Sequence, residues 1–402
     1  MDLSLATSMA APGRAMTAYD SKFSPTAAHR AAADAAYMRV MDFKANSTLV
    51  KRYGDTAAGT ISRLEWPDIV VRGVLGVGEF ACVRKVRVSI LEDDDDDDDQ
   101  NKNPASILDG RSEAASEQRG EASTSGSTSS SFTSSGAQYY ALKCLNQRTV
   151  SSEDSFVQGA ADLASEAMIL SHLQHDNIVR IYGVKNGCVS QAFREQGGYF
   201  LVLELLRGTV SDLLRLWRDD LKTAGKAANI PSPLERIQGM ALGVAKGMEY
   251  LHQNNILLRD LKPHNIGFDR DGNVRLFDFG LAREMDCDHT PDNRMGGVAG
   301  SYRYMSPEVA LGQGCCFGSD VYSYGIVLWE LLTLEKPFEK IGTSAKIKEK
   351  VARKGVRPSL RGIPTASLRN LLKDCWATSA LRRPNFTEVC MVLAAEIAAA
   401  PS

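Results

Sequence analysis

The stretch Leu257-Leu258-Arg259-Asp260-Leu261-Lys262-Pro263-His264-Asn265 is followed, thirteen residues after its last member, by Asp278-Phe279-Gly280. Two carboxylates, an ammonium and an amide thus fall in two short segments separated by an apolar run. That inventory suits phosphoryl transfer. A phosphate chain calls for Mg²⁺, which takes hard oxygen ligands of the kind Asp278 and the Asn265 amide offer. An attacking hydroxyl needs a base that also aligns it, and Asp260 is free for that role. Lys262, two residues on, can neutralise charge on the transferring group as the transition state forms. Either motif alone arises by chance; the two in this order and at this separation are far more specific.

Other residues must be positioned against this pair. Trp66 to Val88 reads as two strands joined by the turn Leu75-Gly76-Val77-Gly78-Glu79-Phe80-Ala81-Cys82-Val83. Glycines at 76 and 78 let backbone N–H groups approach phosphate oxygens that a Cβ would hold off. By itself such a turn fits a plain hairpin equally well. Gln138 to Leu145 reads as a strand with Lys143 inside an apolar run, an uncomfortable place for an ammonium without partners. The following helical segment has apolar residues at 163, 167, 170 and 173, with Glu166 beside that face. Taken alone, Glu166 would be a solvated helix glutamate.

Composition narrows the setting. At 402 residues, one two-lobed domain with tails fits as well as two or three separate domains. A net charge of −2, with 24% charged residues, gives no reason to expect a nucleic-acid partner. No apolar run approaches the ~18 residues of a membrane span, and the N-terminus lacks the pattern of a secretory signal. The eight cysteines include no CxxC pair and no histidine at zinc-ligand spacing. A reducing compartment is the economical expectation, the cytoplasm first and the nucleus as alternative.

From Met1 to Glu65 the chain is rich in Ala, Ser and Thr, with Pro12, Gly13 and Pro25 as breakers. It is expected to be a mostly disordered tail in which 27–44 could form a short docking helix. Asp2, Asp20, Asp34 and Asp42 argue against an organelle presequence. Farther on come seven aspartates, Asp93 to Asp99, and a Ser/Thr/Gly tract over 121–136. Neither has apolar residues to bury, so 90–137 reads as a disordered insertion, where each doubling of loop length costs only ~0.6 kcal/mol. A solvated linker is the plain reading of this insertion; a docking tract for basic partners or a phosphorylation region is the functional one.

The motifs together resemble a eukaryotic protein kinase over about 68–398, the insertion apart. The resemblance implies an α+β, bilobal protein-kinase fold. Its small lobe (66–203, the domain starting at 66) would be an antiparallel sheet plus one helix, its larger lobe (207–398) mainly helical, and 399–402 a tail. It implies ATP and Mg²⁺ as cofactors (Mn²⁺ as a substitute) and protein substrates as partners, with no nucleic acid and no membrane span. Asp260, Lys262 and Asn265 would be catalytic, with Asn265 and Asp278 holding metal. Leu75, Gly76, Val77, Gly78, Val83, Ala141, Lys143, Glu166, Leu203, Glu204, Leu206 and Asp278 would form the nucleotide site. Within it, Val83 covers the adenine, Leu203 stands at the back, and the backbones of Glu204 and Leu206 hydrogen-bond the base. Lys143 would hold the α- and β-phosphates and pair with Glu166. Ser301 would lie near the acceptor, Glu308 would be the buried partner of Arg383, and Asp320 would brace the loop around Asp260.

Thr290 is the only Ser or Thr between Gly280 and Gly300 and is the leading candidate phosphosite. Arg259 beside Asp260 implies a need for negative charge there, and so an upstream activating kinase. Lys262 matches kinases whose acceptor is Ser or Thr, and Cys375-Trp376 before Arg383 resembles the tyrosine-kinase-like group of Ser/Thr kinases. His264 stands where kinases preferring basic residues before the acceptor carry Glu, so strong basic selectivity is not expected. Three positions depart from the pattern. Ala81 replaces a third glycine, Leu258 replaces His or Tyr, and Gly267 replaces a bulky aliphatic beneath the adenine, a gap for Phe268 or Phe277 to fill or a deeper pocket. These departures are the only support for the alternative, a nucleotide-binding signalling scaffold without useful turnover.

Overall fold

Strand alternation sends successive side chains to opposite faces, and in Tyr140–Leu145 (β4) this sets the small lobe. Tyr140, Leu142 and Cys144 point into one apolar cluster with Val86, Val88, Phe200 and Val202. Ala141, Lys143 and Leu145 therefore face the other side, where the main core begins. The computed structural model describes residues 26–53, 61–78, 80–89, 138–195, 197–224, 229–285 and 294–400. Ser62–Leu64 (β1), Ile69–Val77 (β2), Ala81–Val88 (β3), β4, Ile181–Lys185 (β5) and Phe200–Glu204 (β6) form one sheet in the order β1-β5-β6-β4-β3-β2. Neighbours pair antiparallel except β1, which runs parallel to β5. The expected insertion at 90–137 lies outside the described residues.

Within the stretch expected to be a tail, the short docking helix read over 27–44 is present, and Thr48–Tyr53 and β1 add further regular structure. Ala27–Asn46 form a helix (α1) and Thr48–Tyr53 a second (α2). Thr26 caps α1, its Oγ1 accepting from His29 N at 3.3 Å. The reason the tail is ordered is burial. Ala32, Ala33 and Ala36 are fully buried against the small lobe's own helix, Glu153–Ser171 (α3). The His29 ring lies 5.1 Å from Phe156 near the start of α3, and Phe43 lies 5.8 Å from His172 just after its end. The two helices thus run side by side in the same direction. With α1 on one flank and the sheet on another, α3 is buried around most of its circumference.

The large lobe begins with Gly208–Thr209 (β7) and Val210–Ala224 (α4). Apolar residues at 237, 240, 241, 244, 248 and 251, spaced at helical period, are buried along a π-helical turn (Ile237–Ala241) and Leu242–Gln253 (α5). Then follow Ile256–Leu257 (β8), Ile266–Phe268 (β9), Val274–Leu276 (β10) and Arg283–Glu284 (β11). β9 pairs with β10 and β7, and β11 with β8, which fixes the loops between them. Phe317–Thr333 (α6) is buried over almost its whole length, with Ala366–Cys375 (α7) and Phe386–Ala398 (α8) completing the lobe.

Glu308 and Arg383 are joined by a two-pronged ion pair, Nη1 to Oε1 at 2.7 Å and Nη2 to Oε2 at 2.9 Å, and Ser319 Oγ donates to Oε1 at 2.8 Å. Burial raises a carboxyl's pKa, but the Arg383 guanidinium outweighs it and lowers that of Glu308 to about 2. Removing one partner of such a pair strands a buried charge. Arg383→Ala is therefore expected to lower stability in urea unfolding by about 3–5 kcal/mol. The sign of the pH effect follows from the depressed pKa. The Glu308 contribution is complete above the unfolded carboxyl's pKa, about 4.3, and is lost as pH falls towards the folded value of about 2. The stability difference between wild type and Glu308→Gln should shrink across that interval.

Candidate active site

Lys143 meets two carboxylates. Its Nζ lies 2.6 Å from Glu166 Oε2 on α3 and 2.6 Å from Asp278 Oδ1 after β10. Burial pulls an ammonium's pKa down, but Asp278 and Glu166 more than reverse this and hold Lys143 above its usual value. Glu166 is 1% exposed; burial pushes its carboxyl up despite Lys143, and Phe279 N–H donates to its Oε1 at 3.2 Å. Lys143 has the opposite effect on Asp278, holding it below the usual carboxylate range.

The loop after β8 is a network around Asp260. Lys262 Nζ lies 2.5 Å from Asp260 Oδ2 and donates to Ser301 Oγ at 3.1 Å, while Ser301 N–H donates to Asp260 Oδ1 at 2.9 Å. Asn265 Nδ2 donates to the Asp260 carbonyl at 3.0 Å. The loop turns through Arg259 at φ +70°, a left-handed conformation that L-residues rarely hold. Asp320, buried at the start of α6, accepts from Leu258 N and Arg259 N at 2.9 Å each and so fixes that turn. Gly300 at φ +100° passes so close that a Cβ there would sit 2.6 Å from the Arg259 carbonyl.

The glycine turn bends where Gly78 N–H donates to Ala81 O at 2.8 Å. Ala81 opens β3 opposite Leu145 and is not among the described residues with left-handed backbone, so the missing third glycine imposes no strain. Sequence reading missed what fastens this turn. Asn146 Nδ2 donates to Gly78 O at 2.9 Å, and Thr149 Oγ1 donates to Phe80 O at 3.0 Å. An Asn ending a strand with a Thr three residues on is the visible signal, because Asn146 Oδ1 also accepts from Thr149 N at 2.8 Å. Leu75 and Val77 are exposed, Val83 is half-buried opposite Lys143, and Ala141 pairs with Leu203 on β6. Glu204 N–H is taken by the Arg180 carbonyl at 2.8 Å, whereas Leu206 N–H has no acceptor among the described residues.

Two departures from the family pattern have a structural answer. A Cβ on Gly267 would meet Leu206 Cδ1 at 2.6 Å, so Leu206, rather than Phe268 or Phe277, occupies the space left by the small residue. Leu258 is 1% exposed and shares the main core with fully buried Phe279. Its hydrogen bond to Asp320 comes from the backbone, which a leucine retains.

Metal ligation can be tested on the donors. Asp278 keeps Oδ2, and Asn265 keeps Oδ1, without a donor among the described residues, and the Asp278 side chain is 45% exposed. Those are hard oxygens suited to Mg²⁺. No group of three His, Cys, Asp or Glu side chains placed to hold a metal occurs among the described residues. Beyond Asp278, Arg283 Nη2 bonds Asp162 Oδ1 of α3 at 2.6 Å. Thr290 lies outside the described residues. Among the described residues no helix is long and apolar enough to cross a membrane.

Residues 120–392 match a family model described as "Protein kinase domain". The match omits β2 and β3, which the structure sets beside β4. The chain is similar to serine/threonine-protein kinase STY17 of Arabidopsis thaliana, 33% identical over 64% of this chain and 40% of that one. A probable serine/threonine-protein kinase of Dictyostelium discoideum is 31% identical over 60% of this chain and 14% of its own. Serine/threonine/tyrosine-protein kinase HT1 of Arabidopsis thaliana is 32% identical over 57% of this chain and 53% of its own. The chain thus spans well under two thirds of these relatives' lengths.

Contact between Leu206 and Gly267 gives a separable test. Gly267→Ala should destabilise the fold, and Leu206→Ala in the same chain should recover part of that loss. The expected coupling in urea unfolding is about 0.5–3 kcal/mol, against additivity if the two residues do not touch.

Proposed function

The chain belongs to the protein kinase family, and from that premise we propose that it transfers the γ-phosphoryl group of Mg-ATP to serine or threonine hydroxyls of proteins. The observation that carries this reading is the pairing of two charged clusters. One is Lys143 with Glu166 and Asp278, suited to a phosphate chain; the other is Asp260 with Lys262 and Asn265, suited to an incoming hydroxyl. The names of two of these relatives, and the resemblance to the tyrosine-kinase-like group, support Ser/Thr as acceptor, while the third relative's name adds tyrosine.

In this reading the glycine turn and Lys143 hold the phosphates, with Glu166 keeping the ammonium in place. The Leu206 N–H hydrogen-bonds the adenine. Asp260 orients the acceptor hydroxyl and takes its proton as the oxygen bonds to the γ-phosphorus. The bond from that phosphorus to the β–γ bridging oxygen breaks, and ADP leaves. Lys262 neutralises charge gathering on the phosphoryl oxygens. Asp278 and Asn265 would hold the Mg²⁺, which when bound shields phosphate charge and polarises the transferring group. The Lys262–Ser301 contact sets the acceptor platform.

The departures that would favour a scaffold are absorbed by packing at Ala81, Leu258 and Gly267, which supports turnover. Transfer of labelled γ-phosphate from Mg-ATP to a generic basic protein, and to the chain itself, tests the proposal. Asp260→Asn is expected to lower the rate about 10²-fold or more, with label in wild type on serine or threonine. Label at Thr290 would identify self-activation as its route; an unlabelled Thr290 would leave that site to an upstream kinase. Wild-type transfer no faster than Asp260→Asn, with Mg-ATP still bound, would favour the scaffold.

A further inference from the structure

We propose that residues 26–53 are a positioning strap that holds α3, and with it Glu166, against Lys143, so that nucleotide affinity depends on this N-terminal segment. The inference rests on the reading of Lys143 as the phosphate-holding group. It starts from a geometric fact. Glu166 sits on a helix that no strand pairs with through its backbone, so apart from the side-chain bonds to Lys143, Phe279 and Arg283, packing fixes its distance from β4. The sheet covers one flank of α3, and α1 lies along another from the level of Phe156 to that of His172.

Besides those aromatic contacts, both helices bury small residues. Ala32, Ala33 and Ala36 of α1 are fully buried, and Ala160, Ala164 and Ala167 of α3 are buried too. Small side chains permit close approach of two backbones, and any shift of α1 is then transmitted to α3.

The strap is also tied to the segments around the active site. Thr48 N–H donates to Glu284 Oε1 at 2.6 Å, Thr48 Oγ1 donates to the same oxygen, and Leu49 N–H does so at 3.3 Å. Glu284 lies in β11, six residues beyond Asp278. Arg52 and Tyr53 each donate to Asn254 Oδ1 at 3.1 Å, directly after α5. One continuous stretch therefore touches the small lobe's helix, the strand after the metal-binding loop and the large lobe. Arg283, beside Glu284, returns to α3 through Asp162 and closes the circuit.

The test uses the full chain carrying Ala33→Glu and Ala36→Glu, which place two carboxylates in the α1–α3 contact. Mg-ATP affinity is measured directly by calorimetry, so the outcome stands apart from whether phosphoryl transfer occurs. The expected result is a rise of about fivefold or more in the Mg-ATP dissociation constant and KM, with cooperative thermal unfolding retained. A synthetic peptide of residues 26–53, added in trans, should restore affinity. Unchanged Mg-ATP affinity with α1 demonstrably cleaved from the body by protease would overturn the proposal and leave the segment as a cover for apolar surface. Should the double variant not fold, Glu284→Ala decides: a smaller loss of affinity in the same direction is expected, and wild-type affinity overturns the strap. Absence of phosphoryl transfer in a wild type that binds Mg-ATP would count against the functional reading alone.

Discussion

One buried ammonium between two carboxylates is the constraint on which the rest of this structure depends. Removing Glu166 from water is costly unless an opposite charge meets it, and Lys143 is that charge. Lys143 in turn would be stranded in an apolar strand without Glu166 and Asp278. Three elements distant in sequence must therefore meet within hydrogen-bonding distance: β4, α3 and the loop after β10. The trio carries one more negative charge than positive and leaves an Asp278 oxygen without a donor, which is the electrostatic setting a divalent cation would complete.

Each cluster includes a strained backbone turn that its contacts must offset. Arg259, beside Asp260, and Asp278 both sit in the left-handed region, each a conformation costing of order 1–3 kcal/mol. Asp320 stabilises the first through two backbone N–H groups. Lys143, together with the Phe279 N–H bond to Glu166, stabilises the second. Both turns aim a functional side chain away from the run of its own strand. The Glu308–Arg383 pair anchors the segment that carries Ser301.

The grouping of charged residues at the candidate site was legible in the sequence because it depends on charge type and on spacing along short loops. Asp260, Lys262 and Asn265 lie within six residues, and Lys143 stood out because an apolar strand makes a lone ammonium conspicuous. A docking helix over 27–44 was legible, but the face it buries was not. Its buried face is alanine, and so is much of the rest of the helix, so no 3.6-residue pattern marks which side is covered. Leu206 filling the space above Gly267 was hidden for a different reason, since Leu206 lies in the connection after β6 and Gly267 in β9, and the two meet only through tertiary packing. Asn146 and Thr149 carried a local turn signal, but their carbonyl partners Gly78 and Phe80 lie across the insertion.

Glu166→Gln tests the central claim most directly, because it preserves the shape of α3 and removes only the charge facing Lys143. Single-turnover transfer from Mg-ATP to a protein acceptor should slow about tenfold or more while the fold remains cooperative. A variant that transfers as fast as wild type would contradict the dependence of the site on this buried pair.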